Sequence, residues 1–225
     1  MAITSYSTLR DQVAGNAGQS WSHRNDVLTK FDTFLQLTEQ EMYTGGEKSA
    51  GEFIDGLRVR DMEKRCTATV STTSRFLQLP DNYLQARRAE LEFTDSNSNK
   101  IIYPLKYVIT SELKEQDRAD RPVRFTVTSQ IEFDCTPDLA YVLEMQHYAK
   151  LTAISSTNAT NAILTNFPTI YLYGCLSQMY KWSRNVEQGV LFHDLFLDAI
   201  YAANKRDKWA RVGPAPQMIY HESIA

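Results

Sequence analysis

At 225 residues, 43% of them hydrophobic and 23% charged, with a net charge of −3 and a pI near 5.8, the chain is long enough for one large globular domain or two small ones. That balance argues against a chain whose main task is gripping nucleic acid, which takes a strong excess of Lys and Arg, while leaving room for a local basic patch. No apolar run approaches the ~20 residues that span a bilayer, and the start MAITSYSTLRDQ lacks the basic and apolar regions of a signal peptide, so the expectation is no membrane and synthesis in a cytoplasm.

The first expected element is a short helix at about 7–14, with Thr8 and Asp11 in capping-box-like spacing. A longer helix follows at about 24–43, where Val27, Leu28, Phe31, Phe34, Leu35 and Met42 form one apolar stripe, Ser22 is a candidate N-cap and Gly45-Gly46 a stop. From about 65 to 150 the period shifts toward two. Strands are expected at 66–71, 75–79, 85–93, 101–109, 124–129, 130–135 and 139–150, with Leu139, Tyr141, Leu143 and Met145 sharing a face in the last. The polar stretch TSELKEQDR (110–118) reads as a short helix between them. Helical periods return with Leu172, Cys175, Leu176 and Met179 after Pro168, and with Phe192, Leu195, Phe196, Ala199 and Ala203. Gly213, Pro214 and Pro216 then end the helix ahead of an apolar cluster, Met218, Ile219 and Tyr220.

This order gives an α+β fold: N-terminal helices (1–64), a β module with one short helix (65–150), C-terminal helices packing with the first ones (151–209) and an extended tail (210–225). The β module, an antiparallel sandwich or partial barrel by its strand spacing, is then an insertion in a helical bundle.

Chemistry-bearing motifs are scarce. No nucleotide loop, nucleophile elbow or zinc-protease motif is present. Cys66, Cys135 and Cys175 are odd in number and far apart, and His23, His147, His193 and His221 are scattered; buried thiols, no metal and no cofactor are the expectations. Glu132 and Asp134, at i and i+2 on a strand, are the pair a carboxylate-based hydrolase or cation site would use, and equally the solvated face of an amphipathic strand. Arg87, Arg88, Lys100 and Lys106 with Tyr103 and Tyr107 are what a nucleic-acid-binding β module would use. Tyr171, Tyr173, Tyr180 and Trp182 read as helix core and interface anchors rather than base-stacking platforms.

The stretch LRVRDMEKRCTATV (57–70) packs Arg58, Arg60, Asp61, Glu63, Lys64 and Arg65 where helix hands over to sheet. A solvated helix end is the plain reading; alternating signs on rigid structure also suit a repeated contact between identical subunits, where complementary charges fix register.

LRVRDMEKR, FLQLPDNYLQARRAEL, TPDLAYVLEMQHYAK and NAILTNFPTIYLYGCL resemble, in that order, segments of the head-to-tail adaptor proteins of tailed bacteriophages and gene-transfer particles. The resemblance runs from about Leu57 to Leu176, and its specificity lies in the series rather than in any one element. TGGEKSAGEFIDG departs from the pattern as a local elaboration, and Cys135 stands where a proline is common. The resemblance implies a structural, non-enzymatic virion protein of the head-tail junction. It would form a homo-oligomeric ring, dodecameric in the usual case, under the portal protein. Such a ring extends the channel through which DNA passes without sequence-specific binding and presents a docking surface to the tail or nozzle protein. It also places the charged stretch near a subunit or portal seam, with Arg58, Arg60, Asp61 and Glu63 specifying the neighbour. The tail, with Pro214, Pro216, Met218, Ile219 and Tyr220, would reach into the portal.

Overall fold

The computed structural model describes residues 2–16 and 21–211, with side chains from residue 23 in the second stretch. In chain order its elements are α1 (Tyr6–Gly15), α2 (Trp21–Thr44), β1 (Gly45–Glu47), β2 (Phe53–Asp55), a 3-10 turn at Arg60–Met62, β3 (Glu63–Thr69), β4 (Phe76–Leu77), β5 (Tyr83–Thr94), β6 (Lys100–Pro104) and β7 (Lys106–Tyr107). A second 3-10 turn (Thr110–Glu112) leads to β8 (Gln116–Asp120), β9 (Arg124–Val127), β10 (Ile131–Phe133), β11 (Cys135–Pro137), β12 (Val142–Ala149), α3 (Ala162–Asn166), α4 (Pro168–Trp182) and α5 (Val186–Arg211). Contacts gather these into two compact units, one of residues up to Asp61 together with those from Thr152 onward, the other Met62–Leu151.

In the helical unit, α4 is the most apolar helix and packs on α1, α2 and α5. Its approach to two helices at once requires Gly174: a Cβ there would overlap Thr38 Cγ2 of α2 and lie 3.0 Å from Phe196 Cε2 of α5. Thr38 cannot yield freely, because its hydroxyl donates to the Phe34 carbonyl at 2.8 Å in a fully buried setting. Phe31, Phe34, Leu35 and Met42 fill the same core from the α2 stripe, each such burial contributing about 1.5–3 kcal/mol. Ser5 caps α1 with Thr8 as its third residue, the two side chains answering each other's backbone N–H. Thr8 therefore sits inside the box rather than opening it, a role its hydroxyl can fill in place of Glu or Gln. Because α2 begins at Trp21, Ser22 falls within its first turn and is not the N-cap. At its other end Gly45, at φ +77°, ends the helix and starts the β1–β2 hairpin, so the elaboration at 44–56 is a hairpin.

Glu39 on α2 joins the two sequence halves of this unit. Its carboxylate accepts the Ile154 N–H at 3.0 Å and the Tyr171 hydroxyl at 3.1 Å, and burial raises its pKa above the ordinary 4.5.

The β unit contains two four-stranded sheets, ordered β3-β12-β5-β6 and β4-β10-β9-β7, and a β8–β11 pair. Strand β12 alternates half-buried and buried along its whole length, as period two requires. Ala89, Leu91, Leu143 and Met145 from the first sheet share one core with Phe125, Ile131 and Phe133 from the second, the arrangement of a sandwich. The pairing is not wholly antiparallel: β7–β9 and β8–β11 run parallel.

Three expectations change here. The segment 110–118 is a 3-10 turn followed by the start of β8, because it has no apolar stripe to bury as a helix and β8 finds a partner in β11. The expected strand 101–109 breaks into β6 and β7 at Leu105, which turns into the core. Leu139 lies before β12 and is 42% exposed, leaving Tyr141, Leu143 and Met145 on the buried face.

Two consequences are measurable by denaturant unfolding. Gly174→Ala lowers stability by about 1–3 kcal/mol through overpacking, despite the ~1 kcal/mol that helix propensity favours Ala. For Glu39 the folded state holds the proton more tightly than the unfolded chain. Its contribution is therefore fully present below pH 4.5 and lost as pH rises through the raised folded value. Glu39→Gln, which keeps an acceptor for Ile154 and Tyr171, should accordingly stabilise the protein at pH 7 relative to pH 4; an unchanged difference between the two pH values would contradict this.

Candidate functional site

The last carbonyls of α2 have no partner inside the helix and must find donors elsewhere. Leu57 N–H reaches the Met42 carbonyl at 2.8 Å, and the Arg58 guanidinium donates to the carbonyls of Tyr43 at 3.1 Å and Leu57 at 2.7 Å. A cation at a helix C-terminus is also favoured by the helix dipole. The chain turns back tightly at Gly56, where a Cβ would collide with the Tyr43 carbonyl.

From Gly56 a strap, residues 56–61, extended as far as Val59 and entering the 3-10 turn at Arg60, runs along α5, and alternate residues from Gly56 to Arg60 are stitched to that helix. Asn204 donates to the Gly56 carbonyl at 3.2 Å and accepts the Arg58 N–H at 2.8 Å. Asp207 Oδ1 accepts both the backbone N–H and the Nε of Arg60, each at 3.1 Å, while its Oδ2 accepts from Arg211 Nε. Asn204, Asp207 and Arg211 stand at i, i+3 and i+7, one stripe of α5, so the period of the extended strap meets the period of the helix. Asp61 accepts from Asn166 of α3 at 2.7 Å. Beside these bonds lies a cleft of about 300 Å³ lined by Val59, Arg60, Asp61, Phe167 and Arg206 among others.

Asp207 is only 8% exposed and is flanked by two guanidiniums, whereas the Arg60 side chain is 58% exposed. The Arg60 ion pair is therefore partly screened by water; the larger stake is the backbone N–H of Arg60 and the buried carboxylate, which would otherwise lack partners.

Of the four charges singled out in the sequence, Arg58, Arg60 and Asp61 belong to this strap. Glu63 belongs to the β unit, where it accepts from Arg87 and, at 2.8 Å, from Gln146. Arg65 on β3 pairs with Glu144 of β12 at 3.3 Å. The density of charge at 57–65 is thus largely answered within the chain. Pro214, Pro216, Met218, Ile219 and Tyr220 lie outside the described residues. Sequence reading missed Asn166, Asn204 and Asp207. For the last a signal existed: the stripe Phe192, Phe196, Ala199, Ala203 continues at Asp207, an acid on a buried face that requires a cation.

The other sequence candidates are occupied structurally. Glu132 pairs with Arg75 at 3.0 Å, and buried Asp134 accepts the Val123 N–H at 3.1 Å. Among the described residues there is no group of three or more His, Cys, Asp or Glu placed to hold a metal. Three of the four cations proposed for nucleic acid are paired, Arg87 with Glu63, Arg88 with Glu90 and Lys100 with Glu92, so their charge is partly answered within the β unit. Tyr171 is fully buried, Tyr180 stacks on Phe192 at 5.4 Å, and Trp182 lies against Phe34 at 5.9 Å. Cys135 and Cys175 are buried, with desolvation pushing their thiols up to about 11 and about 12; Cys66 is only half-buried, since it lies on the edge strand β3. No helix among the described residues is long and apolar enough to cross a membrane.

What remains is a chain whose charged stretch is bonded largely within itself. Its sequence matches the model of the SU10 adaptor protein family over residues 4–217, both halves of the helical unit and the whole β insertion included. The chain belongs to that family. It is a family of phage head-tail adaptors, and the ordered resemblance read from 57–176 falls within the match. Comparison with curated proteins gives no match.

In this adaptor, removing the Asp207 carboxylate leaves the Arg60 N–H without its acceptor. Asp207→Ala should cost about 1–3 kcal/mol in urea unfolding. Lys64→Ala, on an exposed side chain of β3, should stay within about 0.5 kcal/mol of the parent. Equal effects from the two would show that the stitch is not specific.

Proposed function

We propose that this adaptor is a structural protein of the virion head-tail junction, forming a ring, twelvefold in the reading favoured here, beneath the portal protein. The ring would extend the DNA channel and offer the docking surface for the tail or nozzle protein. The observation that carries this is the family match across residues 4–217. The absence of any catalytic motif in the sequence is in keeping with a non-enzymatic role. A net charge of −3 per chain suits a channel that lets DNA slide rather than holding it.

In this reading the strap makes the helical unit rigid enough to serve as a docking block. The outward side of Arg60, still 58% exposed beyond its bond to Asp207, and the exposed Asp61 would form part of the seam with a neighbouring subunit or the portal, with Arg58 and Glu63 the other two charges that specify the neighbour. The segment bearing Pro214, Pro216, Met218, Ile219 and Tyr220 is the anchor that reaches into the portal.

Co-sedimentation with the portal ring tests this. The intact chain should bind stoichiometrically, and a version ending at Arg211 should lose binding. Binding retained after truncation would move the anchor to the helical unit; no binding by either form would overturn the portal assignment.

A further inference from the structure

A groove of about 650 Å³ lies in the helical unit between β2 and the last turns of α5. Four consecutive residues of one wall, Glu52 to Asp55, line it. Because side chains alternate along a strand, a groove that meets all four is bordered by the strand's edge. Among the described residues β2 pairs only with β1, so this second edge offers backbone N–H and C=O groups to an incoming strand. The opposite wall is α5, with Tyr201, Lys205, Lys208 and Trp209. Phe53, Tyr201 and Trp209 are 64%, 49% and 70% exposed, a cluster of large rings around one groove, which marks a docking site rather than a scatter of surface residues. Glu52 already pairs with Lys48 at 3.0 Å, so Lys205 and Lys208 against the single carboxylate of Asp55 leave that site a net positive bias of one charge.

The sequence supplies an occupant of matching chemistry. In QMIYHE, residues 217–222, the alternate positions Met218, Tyr220 and Glu222 share one face of an extended strand: two apolar side chains for the rings and a carboxylate for the lysines. The distances permit it. The five residues 212–216 can span roughly 17 Å, whereas the way back from Arg211 to the level of Lys205 is about 9 Å of helix.

We propose that the groove is the receptor for residues 217–222 of the same chain, added as a third strand on the free edge of β2 while the subunit has no partner. The short connection gives the segment a millimolar effective concentration, so weak contacts suffice. Docking covers the apolar cluster until a partner takes it. This goes beyond the portal-anchor reading of the tail and does not depend on it.

The test uses the full chain carrying Tyr220→benzoylphenylalanine, irradiated at low concentration without portal and mapped by peptide mass. The expected result is an adduct within one chain, to peptides containing Phe53, Tyr201 or Trp209, with a yield unchanged on dilution. Lys205→Glu with Lys208→Glu should lower that yield about fivefold, the effect of losing roughly 1 kcal/mol of exposed ion pairing. Adducts between copies with a yield that rises with concentration would assign the groove to a second copy and overturn the proposal. So would adducts elsewhere in the chain, or none. Portal co-sedimentation of the same variant is scored separately: an adduct without portal binding keeps the groove and loses the portal reading, and the reverse loses only the groove.

Discussion

A carboxylate that is 8% exposed survives in a folded protein only when its charge and lone pairs are answered, and at Asp207 the answer comes from two guanidiniums and a backbone amide. Arg60 arrives from the N-terminal half of the chain and Arg211 from the end of α5, so one buried acid joins segments almost 150 residues apart. Asn204, one turn earlier, does the same for Gly56 and Arg58 without charge. A helical unit whose two sequence halves are separated by a 90-residue insertion needs such joints, because the entropy of bringing those halves together must be recovered locally. The apolar layer around Gly174 supplies the bulk of that recovery, and the polar stitch fixes the register in which α5 lies against the strap.

Legibility in the sequence followed the strength of the period. The stripe of α2 and the alternation of β12 were clear because each buries one face along many residues. Those of α4 and α5 were visible in part. The region 110–118 was misread because helix propensity was its only signal, and β8 takes its structure from a partner nearly twenty residues away, which no local pattern encodes. The short α3 was missed for a similar reason: five residues held by the Asn161 cap carry little periodicity. At the candidate site the charges at 57–65 were visible, but their partners at 166, 204 and 207 were not, since pairing across the insertion is a property of the fold. Only the acid at 207, lying on an otherwise apolar stripe, gave a hint.

Each unit has its own contacts and its own buried residues. The β unit buries a shared sandwich core and pairs several of its charges internally, as Arg87 with Glu63 and Lys100 with Glu92 show. Large apolar side chains stand exposed on both, Phe53 and Trp209 on the helical unit and Tyr107 and Ile109 on the β unit.

The central claim is that the charged strap serves first inside its own chain. Hydrogen-deuterium exchange of the Arg58 and Arg60 amides tests it most directly, because the acceptors described for both lie on α5. If the account holds, both amides exchange as slowly as the buried turns of α5 around Ile200 and Ala203, opening only when that helix does. Exchange at the rate of an exposed loop would mean that the strap is not stitched, and that its charges are held in reserve for another molecule.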